Sequence, residues 1–220
     1  MSEAGNTNNQ ELRFHAIGVD RLRVINDGAG ITTLVAGYGC PLRCKYCLNP
    51  QCFEQKHPVK SYTISELLEE AAVDDLYFQA TGGGIVFGGG EPLLQADFIH
   101  AFRAACPKEW KLYLESSLAV PEKELLKIID DIDFFLIDIK DMDPEIYHAY
   151  TGRQPDRVLH NLKLLADHKK ADKTTLRIPL IPDYNDENKR KQSVKQLQQI
   201  GFSDFDLYEY NVSLALGKRI

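Results

Sequence analysis

Six runs rich in β-branched and aromatic residues recur along this chain, and segments of helical character separate them. They are 31–37 (ITTLVAG), 84–89 (GIVFGG), 111–117 (KLYLESS), 133–140 (DFFLIDIK), 174–181 (TTLRIPLI) and 204–211 (DFDLYEYN). Strands this continuously apolar are buried on both faces, and parallel neighbours can be joined only by crossover connections, usually helices. The alternation therefore predicts an α/β fold, an open, partial β/α barrel of about six strand-helix units rather than a sandwich. Helix start signals support it. Thr63-Ile64-Ser65-Glu66 reads as a capping box opening 64–74, Pro121 suits a first helical turn, and Asp143-Pro144 is a cap followed by proline. The segment 155–169 puts Val158, Leu162 and Leu165 on one face, and 187–200 does the same with Val194, Leu197 and Ile200. In such folds ligands bind at the carboxyl ends of the strands, which is where functional residues are sought.

With 220 residues and 44% hydrophobic content the chain can bury one substantial core. A single domain over 10–220 is expected, with 1–9 a disordered lead-in. The net charge is -6 and no Lys/Arg-rich tract occurs, which argues against nucleic acid as a partner. No signal peptide or membrane-length apolar run is visible, so the expected location is the cytoplasm. Five cysteines, an odd count with three inside eight positions, suit a reducing compartment and metal binding better than disulfides.

The first strand runs directly into Gly37-Tyr38-Gly39-Cys40-Pro41-Leu42-Arg43-Cys44-Lys45-Tyr46-Cys47. Three thiolates on one glycine-bearing loop can ligate three irons of a cubane and leave the fourth without a protein ligand. The alternative is structural zinc, which needs a fourth donor, with Cys52 or His57 as candidates. Cys106 follows a helix carrying Phe98, Phe102 and Ala105 and reads as packing.

Two further strand ends carry chemistry. In Gly88-Gly89-Gly90-Glu91-Pro92, glycine admits a ligand close to the backbone and the carboxylate can accept hydrogen bonds from an ammonium. No Lys-Ser/Thr follows these glycines, which disfavours a nucleotide phosphate loop. Asp138-Ile139-Lys140 closes the fourth run with two opposite charges that would be costly in a core, so they belong at its mouth.

At these residues the chain resembles the radical S-adenosylmethionine (SAM) enzymes, and from about Arg23 to Lys218 it is similar to the activating enzymes of glycyl radical enzymes, of the pyruvate formate-lyase activase kind. The resemblance implies a radical SAM type of partial barrel and makes Cys40, Cys44 and Cys47 the ligands of a [4Fe-4S] cluster. It places SAM against Tyr46 (chiefly its backbone), Cys47, Leu48, Gly89, Gly90, Glu91, Asp138, Ile139, Lys140, Arg177 and Asn211. Within these, Gly89-Gly90-Glu91 would hold the methionyl amine and Arg177 the carboxylate side. Asp27, in the turn Asn26-Asp27-Gly28-Ala29-Gly30, would face the substrate. Glu115-Ser116 stands where activases carry Asp-Thr, which in some members helps bind a monovalent cation, although the longer Glu departs from that pattern. Leu48 and Asn211 occupy places of histidines, and activases continue for a further strand-helix segment past Ile220, so the chain is either a short member or a piece of a longer one.

What the resemblance implies is an anaerobic oxidoreductase that cleaves SAM reductively to a 5'-deoxyadenosyl radical, which then takes hydrogen from a glycine of a partner glycyl radical enzyme. A flavodoxin or ferredoxin would supply the electron, and a monomer is expected. Two other functions stay open at this point. One is a single-cluster radical SAM enzyme acting on a small molecule or a ribosomally made peptide, which the partner would distinguish. The other is a zinc-stabilised binding module, which metal content would distinguish.

Overall fold

Alternation along each strand organises the fold into two very different faces. The structure is a computed structural model that describes residues 12–24 and 27–215. The lead-in 1–9, Asn26 and the stretch ending at Lys218 lie outside the described residues. The strands are β1 (Phe14–Arg23), β2 (Thr32–Gly37), β3 (Lys60–Tyr62), β4 (Gly84–Gly89), β5 (Lys111–Ser116), β6 (Phe134–Asp138), β7 (Thr174–Leu180) and β8 (Phe205–Glu209). The helices are α1 (Ile64–Ala72), α2 (Asp75–Thr81), α3 (Ala96–Ala105), α4 (Glu122–Ile128), α5 (Pro144–Thr151), α6 (Asp156–Asp167), α7 (Glu187–Ile200) and α8 (Val212–Ala215). All eight strands form one sheet in the order β3-β1-β2-β4-β5-β6-β7-β8, parallel from β2 onward and not closed on itself.

This is the open, parallel-rich sheet that the alternation predicts, with one addition. Strands β1 and β3 are antiparallel and extend the edge beside β2. Neither has the apolar run of a doubly buried strand, since most of β1 is exposed or half-buried and β3 has three residues. The helix expected over 64–74 is α1, which ends at Ala72, and a separate helix, α2, follows from Asp75. The capping box of α1 is present, with the Thr63 amide donating to Glu66 Oε2 at 2.7 Å and the Glu66 amide donating to Thr63 Oγ1 at 3.2 Å. The fourth run stops being strand at Asp138, so Ile139 and Lys140 lie just past it.

On the outer face, Val35, Ile85, Phe87, Leu112, Leu114, Phe135 and Ile137 pack beneath the helices in one continuous core. Phe87 sits at its centre, fully buried, with the Phe14 and Phe102 rings at 5.3 and 5.4 Å. The inner face is apolar only at the amino ends of the strands, where Leu34, Val86 and Tyr113 form a small layer. The Tyr113 hydroxyl donates to the Ala29 carbonyl at 3.0 Å, which fixes the 27–30 turn against that layer. Toward the carboxyl ends, the inward positions become Gly88, Glu115, Asp138 and Arg177 and the core gives way to a cavity.

Truncating the centre of the outer core tests this packing. Phe87→Ala should cost about 3–5 kcal/mol, read as a lower urea midpoint with an unchanged slope. A loss below about 1 kcal/mol would mean that the site relaxes and the outer core is not close-packed.

Candidate active site

The cysteine loop leaves β2 and is pinned from three sides before any ligand is considered. The Arg43 amide donates to the Thr151 carbonyl at 2.9 Å and the Lys45 amide to the Tyr150 carbonyl at 3.1 Å, so the loop satisfies carbonyls that the end of α5 leaves unpaired. The Asn49 side chain donates to the Gly89 carbonyl at 3.1 Å, and the Gly39 amide donates to the Cys52 carbonyl at 3.1 Å. Gly90 and Glu91 close the other side, their amides donating to Gly37 at 3.0 Å and Gly39 at 2.8 Å. The glycines are required by the chain itself at this crossing. Gly89 has φ +84, and a Cβ on Gly90 would stand 2.3 Å from the Gly39 carbonyl oxygen.

Cys40, Cys44 and Cys47 border a cavity of about 920 Å³ at the carboxyl ends of the strands, toward the upper limit of the ~300–1,000 Å³ usual for small-molecule sites. Burial pushes the Cys40 thiol up to about 12 and raises Cys44 as well. Cys47 goes the other way, to about 6, because the Cys52 thiol donates a hydrogen bond to it. Cys52 is itself buried and does not border the cavity. His57, the other candidate fourth zinc donor, has its Nε2 at 3.4 Å from the Ile17 carbonyl oxygen. Among the described residues no three His, Cys, Asp or Glu side chains converge where a single metal ion could sit. A cubane fits this donor set better, since its thiolates bind different irons and need not meet at one point.

The same cavity carries a charge network, and its Lys140 is close enough to act on the Cys40, Cys44 and Cys47 thiols. Arg177 donates from Nε to Asp138 Oδ1 and from Nη1 to Glu115 Oε1, each at 2.8 Å, while Lys140 Nζ donates to Asp138 Oδ2 at 3.1 Å. Burial pushes the Asp138 carboxyl up, but Arg177 and Lys140 outweigh it and hold it at about 2. Glu115 is pushed up to about 7 by burial, against the pull of Arg177 and with help from the charges of Asp27 and Asp138. Lys140 is raised well above its ordinary value, Asp138 overcoming the burial penalty. Asp27 borders the same cavity, bound in a two-pronged ion pair by Arg23.

Strand alternation divides the sequence-predicted residues. Asp27, Leu48, Gly89, Gly90, Glu115, Ser116, Asp138, Lys140 and Arg177 all border the cavity with the three cysteines. Ile139 does not; it is buried and its amide donates to the Arg177 carbonyl at 2.9 Å. Glu91 is also outside, 1% exposed, accepting from Ser116 Oγ at 2.7 Å, from Ser117 Oγ at 2.6 Å and N at 3.0 Å, and from the Leu93 amide at 3.3 Å. Burial raises its pKa, against the Ser117 and Ser116 hydrogen bonds. Glu115 and Ser116 diverge, one carboxylate toward Arg177 and one hydroxyl toward Glu91, so the two side chains do not converge on a shared cation. Tyr46 packs its ring among Tyr150, Tyr184 and Tyr210, and its carbonyl accepts from the Tyr210 hydroxyl. Asn211 is exposed and accepts from the Ser213 amide at 3.1 Å.

Sequence reasoning missed Arg23, Ser117, Tyr150, Asp206, Tyr208 and Tyr210 as cavity residues. For Asp206, Tyr208 and Tyr210 a signal existed, since residues two apart on one strand share a face.

A profile of the Radical SAM superfamily matches residues 34–191. The (2S)-3-sulfopropanediol dehydratase activating enzyme of Klebsiella oxytoca is 32% identical, covering 74% of this chain and 70% of its own. The pyruvate formate-lyase-activating enzyme of Staphylococcus aureus is 30% identical over 80% of this chain and 72% of its own. Among solved structures, Streptococcus suis SuiB bound to S-adenosylmethionine superposes with a TM-score of 0.61 at 16% identity, over 79% of this chain and 39% of SuiB, a likeness of fold alone. With a family profile across most of its length and two activating enzymes as relatives, the chain belongs to the radical SAM superfamily, in the group of glycyl radical enzyme activating enzymes.

Proposed function

We propose that this chain binds a [4Fe-4S] cluster through Cys40, Cys44 and Cys47, binds SAM across the charged cavity, and activates a glycyl radical enzyme by taking hydrogen from one of its glycines. The observation that carries the reading is the shared cavity, bordered by three thiols and by two carboxylates paired to two cations. When bound, the cluster supplies an open iron and reductive cleavage of SAM to methionine and a 5'-deoxyadenosyl radical.

The residues of the chain do the rest. The methionyl end of SAM is a zwitterion, and Asp138 and Glu115 complement its ammonium while Lys140 and Arg177 complement its carboxylate. Gly89 and Gly90 offer backbone where no side chain intervenes. Glu91 acts as a positioning residue, tying the turn after β5 to the turn after β4 through Ser116 and Ser117. Leu48 and Asn211 are left as flanking contacts, and a monovalent cation has less to do where Glu115 already meets Arg177. Asp27, held by Arg23 on the border of the cavity, is the residue this reading assigns to the incoming substrate glycine.

Among the described residues no helix is long and apolar enough to cross a membrane. We place the work of the chain in a reducing cytoplasm, where its free cysteines stay reduced. A flavodoxin or ferredoxin supplies the electron, and the chain acts as a monomer toward its larger protein substrate.

Two tests follow. Anaerobic protein reduced with dithionite should cleave SAM, and with a glycyl radical enzyme encoded beside it should give a glycine-centred EPR doublet; Cys44→Ala should abolish both. SAM cleavage without a doublet in any such enzyme would instead favour a small-molecule or peptide substrate. The second test concerns Glu115, whose folded pKa of about 7 lies above the ordinary 4.5. Between those values the folded chain holds the extra proton, so this group makes stability fall as pH rises from about 4.5 to about 7. In urea titrations of the cluster-free protein, Glu115→Gln should flatten that fall. Parallel curves for the two proteins would remove the raised carboxyl from the account.

A further inference from the structure

Behind the cysteine loop stands a tyrosine whose hydroxyl has nothing to bond to. Tyr147 is on α5 and only 2% exposed, and its Oη is one of two buried side-chain polar atoms without a hydrogen-bond partner among the described residues. The other, Asn161 Oδ1, belongs to an amide whose nitrogen donates to the Leu118 and Val120 carbonyls, whereas Tyr147 has no second polar group in its side chain. A buried hydroxyl left unpaired has given up its bonds to water with none in exchange, so an orphan of this kind calls for a partner. Its place limits what that partner is. The amides of Arg43 and Lys45, on either side of Cys44, bond to the Thr151 and Tyr150 carbonyls in the last turn of α5, and Tyr147 stands one turn back from Thr151. Cys40 and Cys44 both pack against the apolar core to which Tyr147 belongs. Burial holds the hydroxyl proton more tightly than usual, and the titratable groups that act on it are, in order, Cys44, Lys140, Glu91 and Cys40. Lys140 is a donor only and cannot accept from it. The Glu91 carboxylate already accepts from the Ser116 hydroxyl, the Ser117 hydroxyl and amide, and the Leu93 amide, which fills its lone pairs. That leaves the sulfurs. A thiol sulfur is a weak acceptor, but a cysteine that ligates iron does so as the thiolate, whose negative sulfur accepts well.

We propose that, in the cluster-loaded protein, the Tyr147 hydroxyl donates a hydrogen bond to the ligating sulfur of Cys44 and raises the potential at which the cluster is reduced. The inference rests on the cluster binding proposed above and adds which residue of this chain sets the redox poise. Hydrogen bonds to the ligand sulfurs are among the levers that tune iron-sulfur potentials. An added electron makes those sulfurs more negative, so a donor beside them favours the reduced form. Tyr147 does not border the cavity and therefore acts without standing where SAM is placed. The unpaired hydroxyl burdens only the cluster-free chain, and loading relieves it.

The test compares the parent protein with Tyr147→Phe, which removes the hydroxyl and keeps the ring. With both proteins loaded anaerobically to the same iron and sulfide content, an EPR-monitored redox titration should give the variant the lower potential. At a fixed solution potential its ratio of reduced to oxidised cluster should fall about tenfold, which is about 59 mV for one electron. In urea titrations of the cluster-free proteins the midpoint of the variant should be unchanged or higher, because only an unpaired group has been removed. An anaerobic crystal structure of the loaded parent should place Tyr147 Oη within hydrogen-bond reach of the Cys44 sulfur. Equal potentials in the two loaded proteins would overturn the proposal. So would a lower urea midpoint of the cluster-free variant, which would show that the hydroxyl already has a partner, or a crystal structure in which Oη bonds to water or to another side chain. If Tyr147→Phe takes up no cluster, the crystal structure of the parent decides. A parent protein that binds no iron after reconstitution would refute the cluster reading itself, and this proposal with it.

Discussion

Arg177 reaches two strands at once, holding Asp138 on β6 and Glu115 on β5 through separate nitrogens. Neither carboxylate could remain charged at this depth alone, and the arginine would be as costly without them. Removing one partner from such a buried set typically costs about 3–5 kcal/mol, whereas a well-packed apolar replacement is often neutral. The network is therefore a poor way to stabilise a half-barrel and a sensible way to keep its interior polar. It leaves the sheet with an apolar outer face that holds the fold together and an inner face that stays charged where it borders the cavity.

The other side of the cavity depends on backbone rather than charge. The turn after β4 is bonded to the cysteine loop at Gly90 and Glu91, and the Glu91 carboxylate in turn accepts from Ser116 at the end of β5 and from Ser117 just past it. Three successive strand ends are thus fastened to one another beside the thiols, and α5 fastens the loop from behind. A site made this way is preorganised for its cofactor, because the thiols are placed by bonds that do not involve any metal.

Much of this could be read from the sequence, for identifiable physical reasons. Strands β2, β4, β5, β6 and β7 were visible because each lies inside the sheet and is apolar along most of its length, and β8, half-exposed at the sheet edge, through its aromatic residues. Strands β1 and β3 were not, since an edge strand with a solvated face lacks that run. The charged pair Asp138 and Lys140 was legible as a site feature, and their spacing of two already put both on one face with Ile139 on the other. Glu115 and Ser116 are adjacent and both border the cavity, but the same rule sends one side chain to Arg177 and the other to Glu91. What the sequence could not convey was pairing across strands. That Arg177 lies between Asp138 and Asp206 follows from register, and that Glu91 faces serines rather than the cavity follows from the backbone crossing at Gly90.

The central claim is that three cysteines leave one iron of a cubane open to SAM inside this charged half-barrel. Mössbauer spectroscopy of protein reconstituted anaerobically with 57Fe tests it most directly. The account predicts a four-iron cluster in which the isomer shift of a single iron moves when SAM is added, and in which Arg177→Leu weakens that response without loss of iron. A spectrum unchanged by SAM, or a colourless protein that retains one zinc after the same reconstitution, would contradict it.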